Sequence, residues 1–339
     1  MTSSLHHAHE DASNAVRDGL SRYEPRCLRT YTPSQAVLAK SAGVFHWTPE
    51  GRRLYDFTSG VLVANLGHNP QRWLQRLIGL MGWSDIGSSK SGAYSPALPL
   101  TAYNAATPLE IEATRRLVEV LQGRPGGKRL QQVLWAASGS EAIQKALWAA
   151  LARDRNRDII LATRYGFHGK KGLAGAVTGC ETDHDRDPRV RFVSFPMTEC
   201  RDVTLRDRPF DPAPYRKELD GLLQQFGRRL GVLITEPYLG GGGSYHPPAE
   251  YLQMLQSFCR EITRGAIRSG SSSGGGGFAG LWSASGGALA GAVVASALGS
   301  AGDAAGLSRS PPVSPASADG VASASTGSQL RQASLGCAA

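Results

Sequence analysis

Hydrophobic and polar positions alternate along residues 42–60 (AGVFHWTPEGRRLYDFTSG) on either side of Pro49, Glu50 and Gly51. That period of two predicts a strand, a tight turn and a second strand. A helix is expected from Thr107-Pro108-Leu109-Glu110, where a threonine cap precedes a proline at the first helical position. Leu109, Ala113, Leu117, Val118 and Leu121 then follow helical spacing until Gly123. Downstream, apolar runs predict strands at 132–137, 158–162, 190–195 and 231–235. Helical periods predict helices at 140–153, 212–226 and 249–261. Tyr215, Leu219, Leu222, Leu223 and Phe226 form one apolar stripe, and Leu252, Leu255, Phe258 and Cys259 form another. Strands separated by helices pair in parallel through crossover connections, so the expected class is α/β with a mainly parallel sheet. Past Glu261 neither period continues.

Composition sharpens that last point. The chain has 339 residues and 41 glycines, well above the usual share of about 7%. From Arg264 to Ala339 about two thirds of the residues are Gly, Ser or Ala, with no Lys and no Glu. This stretch is expected to be disordered. The net charge of +9 comes from scattered Lys and Arg, without a basic stripe or a recognition motif, so no nucleic-acid partner is expected. Cys27, Cys180, Cys200, Cys259 and Cys337 are odd in number and contain no CxxC pair. They argue against a disulfide framework or a zinc site and fit a reducing, cytoplasmic setting. His6, His7 and His9 read as solvated imidazoles on a disordered terminus, so no metal is expected. Residues 278–298 are uncharged and about long enough to span a bilayer, but they are largely Ala, Gly and Ser, so membrane insertion is not expected.

Three segments carry candidate chemistry. In VLWAASGSEAIQKALWAA (133–150), Ser138 and Glu141 are spaced as a capping box. The same turn could hold an anion, because Gly139 permits close approach and the first-turn amides and the hydroxyls of Ser138 or Ser140 donate. In YGFHGKKGLAGAVTG (165–179), Phe167 either plugs the core or lies across a flat ligand. Glu236 ends the fourth strand, in TEPYLGGGG. It is placed either to touch a ligand at the carboxyl end of a parallel strand or to form a structural ion pair.

In this order, the three segments resemble the class III (ω-amino-acid type) aminotransferases, pyridoxal-phosphate enzymes of fold type I. The stretch AGVFHWTPEGRRLYDFTSGVLVANLGHNPQ adds the family's "D-F-x-S-G…N-L-G-H" pattern at Asp56, Phe57, Ser59, Gly60, Asn65, Leu66, Gly67 and His68. ASGSEA (137–142) is similar to the family's phosphate turn, FHG (167–169) to its ring-stacking aromatic with His-Gly, and TEPYLGGGG to its "E-P-x-x-G" strand end. The resemblance covers roughly residues 30–261. It implies that Gly139 and Ser140 hold the cofactor phosphate, Phe167 stacks on the pyridine ring, His168 lies beside it, and Glu236 lies near the ring's oxygen side. Val61 and Leu62 would line the substrate pocket. It further implies a homodimer that moves an amino group from a small-molecule amine or amino acid to a keto acid. The division implied is a polar segment 1–29, the N-terminal part of a small domain 30–75, a partial cofactor-binding large domain 76–263 and the low-complexity tail 264–339.

The family pattern also calls for a "D-E-V" strand whose Asp meets the pyridine nitrogen, then a Schiff-base lysine, both after TEPYLGGGG. The sequence here runs ITRGAIRSGSSSGGGGFAG, without D-E-V, and its last lysine is Lys217. No catalytic residue is therefore assigned, and Lys170 and Lys171 read as solvated loop lysines. Two expectations follow: a fold incomplete at its C-terminal part, with strand 132–137 lacking its neighbour, and a change of reading frame near residues 262–268. The DNA's other frame tests the second; finding neither a D-E-V nor a lysine-bearing segment there removes it. The alternative function is a non-catalytic protein that binds phosphate or pyridoxal phosphate weakly, or that binds a partner.

Overall fold

The computed structural model of the chain describes residues 5–24, 35–84, 86, 94–101, 104–125, 127–183, 186–206, 208–268, 279–282 and 295–296. The first element is helix α1 (Asp11–Tyr23), where the sequence reading expected a disordered terminus. What holds it is polar. The Ser13 amide and hydroxyl both donate to the Glu50 carboxylate at 2.7 Å, and buried Arg17 donates to Glu10 at 2.6 Å and to the Gln35 carbonyl at 3.1 Å. The Ser13 amide and hydroxyl bonds pull the Glu50 carboxyl down to about 2. Ala12, Val16, Leu20 and Tyr23 recur at helical spacing, yet the residues the helix buries are polar, Ser13 and Arg17.

The predicted strand, turn and strand form, with a third strand added. Strands β1 (Lys40–Ala42), β2 (Phe45–Trp47) and β3 (Arg53–Tyr55) pair antiparallel in chain order. The Gly51 amide closes the tight turn onto the Thr48 carbonyl at 2.9 Å. Helices α2 (Ser59–Leu62), α3 (Gln71–Met81) and α4 (Pro108–Gln122) follow. The α4 start is the one expected, with Thr107 Oγ1 accepting from the Glu110 amide at 3.3 Å. No residue of α3 or α4 is buried, so local signals carry much of their stability. Thr107→Ala is expected to cost α4 about 1 kcal/mol, seen as roughly fivefold faster hydrogen exchange of its amides.

The rest is a layered α/β unit. In chain order come α5 (Gly139–Ala152), β4 (Ile159–Thr163), α6 (Gly172–Ala176), β5 (Val190–Val193), α7 (Met197–Arg201), α8 (Val203–Arg206), α9 (Ala213–Phe226), β6 (Leu230–Thr235), α10 (Ala249–Arg268), β7 (Ala279–Trp282) and β8 (Ala295–Ser296). The sheet order is β5-β4-β6-β7-β8, parallel except for the β7–β8 pair. Alternate residues of β4 face opposite layers, as strand geometry requires. Ile160 and Ala162 pack with Ile143, Leu147, Leu173 and Val177 of the α5 and α6 layer. Ile159 and Leu161 pack with Leu219, Tyr251, Leu255 and Phe258 of α9 and α10. Every residue of β4 and β6 is buried, hence their continuous apolar runs.

Two expectations are corrected. Residues 132–137 are not a strand: among the described residues nothing pairs with them, and an extended segment needs a ladder partner to become one. They are tethered instead by side chains, Trp135 Nε1 donating to Thr114 Oγ1 at 2.9 Å and Lys145 Nζ to the Trp135 carbonyl at 2.7 Å, while Leu134 stays exposed. Within the stretch from 264 onward, α10 runs on to Arg268, and β7 and β8 add to the sheet. β7 takes the free edge of β6, which any extended backbone can pair with regardless of side-chain period. The rest of that stretch, including most of 278–298, lies outside the described residues. Among the described residues Cys200 and Cys259 are free thiols. Cys27 and Cys337 lie outside the described residues. No helix among the described residues is long and apolar enough to cross a membrane.

Candidate functional site

The capping box at the start of α5 is present. Ser138 Oγ accepts from the Glu141 amide at 3.2 Å, and Glu141 Oε2 accepts from the Ala137 amide at 2.8 Å. Lys145 ion-pairs with Glu141 at 2.6 Å and, with the Ala137 amide, holds its carboxyl below the usual range. The pair offsets a negative charge that would otherwise repel an anion from this helix start. With Glu141 and Ala142 amides used by Ser138, the first-turn donors that remain are the amides of Gly139 and Ser140. A Cβ added at Gly139 would meet nothing within 4 Å, so the space in front of these donors is open.

The loop after β4 folds over this helix start. Ser140 Oγ accepts from the Lys170 amide at 3.1 Å, which leaves the Ser140 hydroxyl proton to donate elsewhere. Gln144 Oε1, one turn further along α5, accepts from the Leu173 amide at 2.7 Å. On the other side, Glu236 Oε2 accepts from the Phe167 amide at 2.8 Å, with Glu236 fully buried at the end of β6. Thus Gly139 and Ser140, Phe167 and His168, and Glu236 are brought together from three separate segments. Phe167 is 45% exposed, which settles one alternative: it does not plug the core. Gly241 backs it closely, since a Cβ there would sit 3.2 Å from Phe167 Cβ.

His168 faces the opposite way. It is 3% exposed, and burial pushes its pKa down to about 4, so the ring is neutral near pH 7 and lends no charge to an anion. Its amide donates to Thr178 Oγ1 at 2.9 Å, and the Thr178 hydroxyl faces the carbonyls of Gly169 (3.0 Å) and Ala174 (2.9 Å). Thr178 and Gln144 are positioning residues that sequence reading missed. Thr178 lay inside the glycine-rich segment, but no spacing signals a hydroxyl that bonds backbone nine or ten residues away. Lys170 and Lys171 are exposed on the loop.

Val61 and Leu62 stand apart. They belong to α2, whose first three residues have left-handed backbone (Ser59 φ 50°, Gly60 φ 59°, Val61 φ 60°), and Val61 is 80% exposed. Their turn is held by Asp56 and Thr58: Gly60 N donates to Asp56 Oδ2 at 3.0 Å and Val61 N to Thr58 Oγ1 at 3.4 Å. These bonds do not run to the 167–170 loop.

The class-III aminotransferase family model matches residues 28–280. The chain belongs to this family. The fold of this class-III aminotransferase relative agrees with solved transaminases. It superposes with a TM-score of 0.57 on a thermostable (S)-enantioselective omega-transaminase from Thermomicrobium roseum, at 23% identity over 74% of this chain and 55% of that one. An amine transaminase from an uncultivated Pseudomonas species, solved in its PLP-bound form, gives 0.54 at 22% identity, covering 71% of this chain and 54% of that one. Among curated relatives, an acetylornithine aminotransferase of Oceanobacillus iheyensis is 25% identical over 266 residues, 72% of this chain and 55% of the relative. The chain spans about half the length of these relatives. Pyridoxal phosphate is the family's cofactor, and the donor set at the start of α5 with an open space before it fits a phosphate group.

Proposed function

We propose that this protein takes part in amino-group transfer between a small-molecule amine or amino acid and a keto acid, using pyridoxal phosphate. The observation that carries this reading is the pair of bonds from Ser140 to Lys170 and from Phe167 to Glu236, which joins the three candidate segments. Gly139 and Ser140 would hold the phosphate through first-turn amides and the Ser140 hydroxyl. Phe167 would cover one ring face, held at its amide by Glu236. Val61 and Leu62 would border the substrate, in a cytoplasmic homodimer. When bound, the cofactor supplies an electron sink for the substrate's α-carbon. His168, neutral and buried, keeps the loop in place and excludes water beneath it.

A second reading rests on a specific observation: residues 218–339 contain no lysine, so none of the residues between Glu236 and Ala339 can anchor the cofactor covalently. On that reading the residues described bind pyridoxal phosphate reversibly and without turnover. Titration of the full chain with pyridoxal phosphate, followed by borohydride, tests both. Reversible binding competed by inorganic phosphate, without a fixed lysine adduct, supports the second reading. An adduct mapped to one lysine together with release of keto acid from an amino acid supports the first, and absence of binding overturns both. Gly139→Ala separates the site from the fold. Its Cβ meets no protein atom, so stability is expected to hold or rise slightly, while affinity for pyridoxal phosphate falls about tenfold.

A further inference from the structure

Away from the α5 site, two imidazoles and a carboxylate converge beside the three-stranded sheet. We propose that His46, Asp56 and His68 form a binding site for one zinc ion. Their ligand atoms all lie within 4.8 Å of one another. His68 Nε2 is 2.6 Å and His46 Nε2 3.5 Å from Asp56 Oδ2, and the two rings are 4.4 Å apart between centroids. Ligand atoms around tetrahedral zinc, with bonds of about 2.0–2.1 Å, are roughly 3.3 Å apart, so the His68–Asp56 pair must open by under an ångström and the two imidazole nitrogens, within 4.8 Å of each other, close onto the ion.

The surroundings already orient the donors. Ser41 Oγ lies 2.6 Å from His46 Nδ1, which leaves His46 Nε2 toward Asp56. Asp56 Oδ1 accepts from the Thr58 amide and hydroxyl at 2.7 and 2.8 Å, which aims Oδ2 at both rings. His68 is pinned by paired backbone bonds with Gly43, at 2.9 and 2.8 Å. Such outer contacts are what hold metal ligands in place. The side chains are 12%, 4% and 20% exposed for His46, Asp56 and His68, so the ligands are sheltered and the His68 side leaves room for a water as fourth ligand. Two imidazoles with one carboxylate favour zinc over the oxygen-seeking calcium or magnesium. The ion would tie β2 and the segment after β3 to the turn before α3, and so brace the left-handed turn at 59–61. Ligand separations of 10 and 12 residues match no zinc spacing, so the sequence alone does not single out this cluster.

The test uses the full chain with His6→Ala, His7→Ala and His9→Ala, so that the terminal imidazoles do not chelate. Calorimetric titration with Zn²⁺ is expected to give one ion per chain, with affinity about tenfold to a hundredfold lower in Ser41→Ala and lower still in His68→Ala or His46→Ala. X-ray absorption of the zinc-loaded parent is expected to show two imidazole nitrogens at about 2.0–2.1 Å and no sulfur, and it decides the matter even if a variant does not fold. No stoichiometric binding, unchanged affinity in a folded His68→Ala, or sulfur in the shell overturns the site.

Discussion

Lowering the pH from about 6.5 to about 4 is expected to remove about 3 kcal/mol of folding stability through His168 alone. The ring is buried and its pKa falls to about 4 in the folded protein, against the ordinary 6.5 of an unfolded histidine. Between those values the unfolded chain takes up a proton that the folded protein refuses. Stability is therefore full above pH 6.5, declines as pH falls, and reaches its floor near pH 4. The carboxylates act in a lower window. Glu50, pulled to about 2, and Asp56, pulled below its ordinary range mainly by the His68 hydrogen bond, lose their contribution only as pH falls below their unfolded values near 4. Urea denaturation at pH 7 and pH 4.5 separates the two windows. His168→Gln is expected to flatten the loss between them, and an unchanged loss in that variant removes His168 as its source.

Gly169→Ala is expected to break the site and to destabilise the fold by about 1–3 kcal/mol. Gly169 has φ 144°, a conformation side chains rarely adopt, and a Cβ there would collide with Ser140 Oγ while lying 2.9 Å from Ala174 Cβ and 3.0 Å from Ser140 Cα. Relief requires the loop to lift from α5, which parts the Lys170 amide from Ser140. Denaturation should show the loss, and pyridoxal phosphate affinity should fall at least tenfold. Gly79→Ala is the control, because its Cβ meets nothing within 4 Å and it sits inside a helix. If both variants behave alike, the loop does not depend on the close approach of Gly169 to Ser140.

How much of this was legible in the sequence follows from the range of each interaction. The starts of α4 and α5 could be read because Thr107 meets Glu110 and Ser138 meets Glu141 three residues away. Strands β4 and β6 could be read because burial on both faces leaves nearly continuous apolar runs, and the edge strand β5 because Val190, Phe192 and Val193 stay apolar around a partly buried Arg191. The end of α10 was set too early: Ile262 continues the stripe of Leu255, Phe258 and Cys259 at helical spacing, so the signal was there. Residues 132–137 could not be judged from their own pattern, because a strand is defined by a partner elsewhere. Helix α1 had a signal in Ala12, Val16, Leu20 and Tyr23 at helical spacing, but not in its anchors, which join Ser13 to Glu50 across 37 residues. Within the site, the motif residues lie at the start of α5, in the loop after β4 and just after β6. Their cross-links through Thr178 and Gln144 could not be read, since a side chain bonding distant backbone leaves no periodic trace.

The order of the sheet has a consequence during synthesis. β4 lies between β5 and β6, and Thr163 on β4 meets Thr235 on β6 across 72 residues of chain. A ribosome adding about 5–20 residues per second leaves one side of β4 waiting for roughly 4 to 14 s. During that interval its apolar residues Ile159 to Ala162 and its open backbone edge are uncovered and available to chaperones or to other chains. Slower translation between residues 163 and 235 should therefore lower the soluble yield more than an equal delay between 107 and 152, where the helices complete themselves.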